Sequence, residues 1–112
     1  MTPTIVRTVV RVDASIISRI GAAGVSTIHE AQERGGLLNA YMRPVYPAAR
    51  TAGSAVTVLC APDDNLMIHA ALAVVQPGDV LVVATMEAST HGLFGDLLAE
   101  SCRALGVAGV VV

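Results

Sequence analysis

The chain has 112 residues, 54% of them apolar, and its 7 basic residues against 9 acidic ones give a formal net charge of -2. That length suits one domain, and with a pI near 5.8 and 3% aromatic residues the chain lacks the basic footprint and stacking platform of a nucleic-acid binder. Mean hydropathy is high at +0.65, yet Gln76-Pro77-Gly78-Asp79, Gly106 and Gly109 break the apolar runs well short of a membrane-spanning helix.

Met1 to Val12 lacks the long apolar stretch of a secretory signal, which predicts a cytoplasmic location. Thr4 to Val12 alternates apolar and polar residues as a half-exposed strand does. Asp13 then offers an N-cap for a helix through Ile16, Ile17 and Ile20, stopped by Gly21 and Gly24. Ser26 can cap a second short helix ending at Gly35-Gly36. From Leu37 to Arg50, Pro44 and Pro47 forbid regular helix and predict an ordered loop.

Gly53 to Cys60 reads as a strand with both faces covered, Val56, Val58 and Cys60 on one and Ala55, Thr57 and Leu59 on the other. Asp63 or Asp64 can cap a buried helix from Asn65 to Val75, where His69 reads as a core or interface histidine. After the Pro77-Gly78-Asp79 turn, Val80 to Ala84 is an unbroken apolar run, typical of a central strand. Gly95 to Leu105 carries Leu98, Cys102 and Leu105 on one helical face, and Val107 to Val112 is a further strand. Residues 1–50 therefore read as an N-terminal strand and helical segment with a Pro-rich loop. Residues 51–112 read as a βαβαβ unit with right-handed crossovers and a parallel sheet.

Ligands in such sheets sit outside the carboxyl ends of the strands. Gly92-Leu93-Phe94-Gly95-Asp96-Leu97-Leu98 lies there, between a buried strand and a helix, where free amides and the helix dipole favour a carboxylate or phosphate by ~0.3–1 kcal/mol per interaction. The same residues also fit an ordinary glycine-bearing turn in which Asp96 stabilises its own helix. His91 sits in this loop, where an imidazole can meet a substrate. His29-Glu30 fails as a helical zinc motif because residue 33 is Glu. All the basic residues are Arg, which excludes a Walker-type phosphate loop. Cys60 and Cys102 have no metal-type spacing and read as buried thiols.

Several segments together resemble the pyruvate aldolases that cleave 4-hydroxy-4-methyl-2-oxoglutarate and 4-carboxy-4-hydroxy-2-oxoadipate, within the family named after the regulator of ribonuclease activity A. They are Val25-Ser26-Thr27-Ile28-His29-Glu30-Ala31-Gln32, Tyr41-Met42-Arg43-Pro44-Val45-Tyr46-Pro47 and Gly53-Ser54-Ala55-Val56-Thr57-Val58, followed by Asp64-Asn65-Leu66-Met67-Ile68-His69-Ala70-Ala71, Gln76-Pro77-Gly78-Asp79-Val80-Leu81-Val82-Val83 and Gly95-Asp96-Leu97-Leu98. The resemblance implies an α/β fold of the swivelling β/β/α type, incomplete in this chain, and self-association into trimers or hexamers.

It also implies a small-molecule 2-oxo acid substrate, with Mg²⁺ or Mn²⁺ as cofactor. Gly95, Asp96, Leu97 and Leu98 would bind the substrate carboxylate, and Asp96 would stand near the metal through water. The implied reaction is a retro-aldol cleavage with oxaloacetate decarboxylation beside it. A non-catalytic binding role like that of the ribonuclease E regulators is the alternative. The family's catalytic arginine and main metal-anchoring aspartate belong to an Arg-Asp segment that follows the strand matching Val107 to Val112, so no catalytic residue is carried over. Arg103, on the preceding helix, is no substitute.

Overall fold

A computed structural model describes residues 2–112; Met1, at the start of the expected N-terminal segment, lies outside the described residues. Four helices and three strands follow in the order α1 (Ala14–Ala23), α2 (Val25–Ala31), β1 (Ala55–Cys60), α3 (Leu66–Ala71), β2 (Val80–Thr85), α4 (Asp96–Ala104) and β3 (Gly109–Val111). The strands form a parallel sheet in the order β1-β2-β3. Ala55 pairs with Val80 and Cys60 with Thr85, while Val80 pairs with Gly109 on the other side.

One face of the sheet carries the core. Val56, Val58 and Cys60 of β1 and Leu81 of β2 pack with Ile68 and Ala71 of α3 and with Leu98 and Cys102 of α4. Ile68, Leu81 and Cys60 are fully buried, and burying a side chain of the Ile or Leu kind contributes about 1.5–3 kcal/mol. Both cysteines are free and buried in this cluster, and desolvation pushes both thiols up. The opposite face of β1 is open, contrary to the expectation that both faces are covered. Ala55, Thr57 and Leu59 are exposed, Leu59 by 49%.

Several expected elements differ in extent: the second helix starts at Val25 after Gly24, with no cap from Ser26, and ends at Ala31, short of Gly35-Gly36, and the last strand covers only Gly109–Val111. The Thr4–Val12 segment forms no ladder; it runs as an unpaired arm held at its end, where the Val12 amide donates to Ser54 Oγ at 2.8 Å. Alternation reports how side chains partition, whereas a strand also needs a neighbouring backbone to bond. The first helix runs through Gly21 and ends at Gly24, whose φ of 84° is left-handed backbone that favours glycine. Asp13 caps its start, accepting from the Ser15 amide at 2.8 Å. Helix α3 stops at Ala71, short of Val75, because the next amides bond three residues back: Leu72 to His69, Ala73 to Ala70 and Val74 to Ala71. His69 is exposed on α3 and is not a core residue.

The amino ends of the strands are closed tightly. Asp79, 2% exposed, accepts from Arg11 Nη2 at 2.8 Å and Nε at 3.2 Å and from the Gln76 amide at 2.7 Å. Arg11 also donates to the Val74 carbonyl at 2.9 Å. Burial alone would raise the Asp79 carboxyl, but the hydrogen bonds from Arg11 and Gln76 and the guanidinium charge outweigh it and hold the group below the usual carboxylate range. Nearby, a methyl group on Gly53 would collide with the Gly78 carbonyl oxygen. These contacts anchor the arm and fix where β1 and β2 begin.

Candidate functional site at the carboxyl edge of the sheet

The carboxyl ends of β1 and β2 lead into two loops that meet. The loop after β1 carries Asp63, Asp64 and Asn65; the loop after β2 runs from Met86 to Gly95 and opens α4. Asp64 Oδ1 accepts from the Leu66 amide at 2.8 Å, the first of α3, whose N-cap residue is Asn65 without a side-chain cap bond; of the two expected caps only Asp64 bonds a helix amide, from one position before the N-cap. Its neighbours turn the other way. Asp63 Oδ1 accepts from Ser89 Oγ and lies against His91 Nδ1, each at 2.5 Å. Asn65 Nδ2 donates to the Leu93 carbonyl at 3.1 Å. Hydrogen bonds from Ser89 first, then His91, hold the Asp63 carboxyl below its ordinary range.

Ser89, Asp63 and His91 are not a nucleophilic triad. Such a triad needs the imidazole between hydroxyl and carboxylate, whereas here hydroxyl and imidazole both bond the same carboxylate oxygen.

The four residues expected to bind a carboxylate stand where the chain enters α4. Gly95 is the N-cap, in extended backbone with φ -139° and ψ -169° and no side-chain cap. Ala99 is the first amide to bond within the helix, to the Gly95 carbonyl at 2.9 Å, so the amides of Asp96, Leu97 and Leu98 precede the intrahelical ladder. The side chains divide: Leu98 is buried in the core at 6% exposure, while Leu97 lies out at 81%. Leu98 thereby fixes the helix against the sheet and holds its amino end at the carboxyl edge.

Asp96 does more than its sequence context indicates. Its Oδ1 accepts from the Leu97 amide at 3.0 Å, so its own carboxylate occupies one of the positions an incoming anion would use. The amides of Asp96 and Leu98 are left pointing from the helix start. The turn is thus a dipole-stabilised helix start in which Asp96 bonds its own helix, while the Asp96 and Leu98 amides stay outside the intrahelical ladder.

A divalent cation of the Mg²⁺ class takes about six oxygen ligands in near-octahedral array. Among the described residues no three His, Cys, Asp or Glu side chains stand together to hold a metal ion. Asp96 offers one carboxylate, already turned to an amide. The described residues therefore do not make up a metal site. Arg103 forms a surface ion pair with Glu100 near the far end of α4.

An apolar concavity lies elsewhere. A groove of about 910 Å³ separates the N-terminal arm from β1 and α3, lined by apolar residues such as Ile5, Val6, Leu59, Met67 and Val74. It lacks a convergent set of polar donors, so it does not supply the chemistry that the α4 turn does. No described helix is long and apolar enough to cross a membrane.

Residues 13–112 match the model of the RraA-like family, described as Aldolase/RraA. A protein of Halalkalibacterium halodurans that carries the provisional name 4-hydroxy-4-methyl-2-oxoglutarate aldolase is 33% identical over 75 residues, an alignment covering 67% of this chain and 36% of that relative. The matched part thus spans about a third of the curated relative's length. With its parallel sheet, α3 and α4 packed on one face of it and a family match over nearly its whole length, the chain belongs to the RraA-like family.

Proposed function

We propose that this chain forms the carboxylate-binding part of an aldolase that releases pyruvate from a 4-hydroxy-2-oxo acid. 4-Carboxy-4-hydroxy-2-oxoadipate, yielding pyruvate and oxaloacetate, and 4-hydroxy-4-methyl-2-oxoglutarate, yielding two pyruvates, are the substrates in view. The observation that carries the reading is the α4 start: outward amides at the carboxyl edge of a parallel sheet, in a chain of the aldolase-containing RraA-like family. The provisional name of the Halalkalibacterium relative supports the same reaction class.

In the retro-aldol step a base takes the proton of the substrate hydroxyl, and the carbon–carbon bond breaks. The electron pair passes into the pyruvate enolate, which then gains a proton at carbon. This chain's contribution is to orientation. The amides of Asp96 and Leu98, with the α4 dipole, fix the 2-oxo acid by its carboxylate and hold the carbonyl in place for the bond to break. Oxaloacetate decarboxylation passes through the same enolate and is proposed as a side activity. Dependence on Mg²⁺ or Mn²⁺, assembly into trimers or hexamers and a cytoplasmic location belong to the same proposal. Asp96 is the one metal donor this chain is proposed to offer, and no step is derived through the ion.

The test is pyruvate release from 4-carboxy-4-hydroxy-2-oxoadipate with Mg²⁺, with and without a chelator. Metal-dependent release is expected. No release under any metal condition, together with measurable binding to ribonuclease E, would overturn the aldolase reading in favour of the regulator-like one.

A further inference from the structure

Two side chains of the β1–α3 loop reach across to the loop that builds the α4 start, and they hold it at both ends. Asp63 bonds Ser89 Oγ and His91 Nδ1, and the His91 amide in turn donates to Ser89 Oγ at 3.1 Å, so residues 89 to 91 are closed around one carboxylate. Asn65 bonds the Leu93 carbonyl, two residues before Gly95. Between these two points lies Gly92, exposed and with open space where a side chain would sit. A residue so free at the loop's centre leaves the path there to be set by the contacts on either side. Leu93 and Phe94 pack against the core on the loop's far side, and on the polar side the path is held by Asp63 and Asn65.

The backbone of the β1–α3 loop fits this task. Asp63 has φ 60°, a left-handed conformation that Asp and Asn adopt far more readily than other side-chain-bearing residues. That turn sends the Asp63 side chain toward the β2–α4 loop while Asp64, one residue on, accepts from the Leu66 amide. Conformations of this kind persist where surrounding contacts over-determine them. Asn65 is half-buried, and its amide group is spent on Leu93 and not on its own helix end.

We propose that Asp63 and Asn65 are positioning residues for the carboxylate-binding turn: together they staple the 89–93 loop and so set where the Gly95–Leu98 amides point. The role in ligand binding rests on the carboxylate reading above; the staple itself does not. Donor alignment then depends on groups that never touch the ligand. Loss of the alignment weakens binding without loosening the core, since neither staple residue belongs to the core cluster.

The experiment uses two near-isosteric variants, Asp63→Asn and Asn65→Asp, with Arg103→Ala as control. Asn at 63 tolerates the left-handed backbone but loses the charged acceptor, and Asp at 65 loses the donor to Leu93. Backbone ¹⁵N relaxation over residues 89–98 reads the staple without ligand, and a pyruvate titration reads the turn. Both variants are expected to raise the mobility of residues 91–95 and to weaken pyruvate binding about three- to tenfold, the range expected for losing one hydrogen bond's alignment. Thermal midpoints stay near that of the parent, and the control moves neither readout. Unchanged mobility and unchanged affinity in both variants would overturn the staple. Mobility that rises in variants of a parent chain showing no pyruvate response would uphold the staple and overturn the carboxylate reading instead.

Discussion

The two edges of one parallel sheet are built in opposite ways. At the amino edge, Asp79 is buried, accepts three hydrogen bonds and faces an arginine drawn from 68 residues away. At the carboxyl edge, Asp63 is half-exposed in its side chain, and its partner His91 more so, at 52% and 70%. Each carboxylate is held below its usual range by the groups that bond it, but the consequences differ. A buried acceptor stripped of its partners pays a desolvation penalty, whereas an exposed one exchanges them for water. The amino edge therefore fixes the fold, while the carboxyl edge stays polar and exposed.

The largest expected effect lies at the amino edge. Asp79→Ala removes the acceptor for Arg11 and the Gln76 amide, and chemical denaturation is expected to show a loss of about 3 kcal/mol. Pyruvate affinity of the folded fraction should not move. Gly53→Ala follows at about 1–3 kcal/mol, because the added methyl must displace the Gly78 carbonyl and Val80. A matching loss of stability on substituting Asp63 would erase the contrast between the edges.

Acid titration sharpens the same contrast. A carboxyl whose folded-state pKa is depressed contributes stability fully above the unfolded value of about 3.9, and that contribution is lost as pH falls through the lower folded value. For Asp79 the loss is expected in the global unfolding free energy. For Asp63 it is expected as local exchange broadening confined to residues 89–93, visible by amide NMR. The smallest effect concerns Asp96. Without metal, Asp96→Ala frees the Leu97 amide and removes a like charge, so pyruvate affinity is expected to rise about two- to fivefold, the equivalent of 0.3–1 kcal/mol. A fall in affinity would mean that the carboxylate side chain helps the anion bind.

Local patterns in the sequence carry much of this fold. Val80 to Ala84 and the Leu98–Cys102 stripe are legible because a buried strand and an amphipathic helix each write their environment into consecutive residues. The glycine-bearing turn is legible as a helix start for the same reason. What escapes is long-range. Nothing local marks Asp79 as more than a turn residue or Arg11 as its partner, and Asp63 looks like a cap candidate and Asn65 like the first residue of a helix because their partners lie 26 to 28 residues on. The arm from Thr4 to Val12 misleads in the opposite sense. Its alternation is real, but no strand lies beside it to complete a ladder.

The central claim is that the α4 start binds the carboxylate of a 2-oxo acid. A metal-free pyruvate titration followed by backbone amide chemical shifts tests it most directly. The Asp96 and Leu98 amides are expected to show the largest shifts and to saturate together. Saturable shifts centred instead on the apolar groove at Val6, Leu59 and Met67, with the α4 amides unmoved, would contradict it.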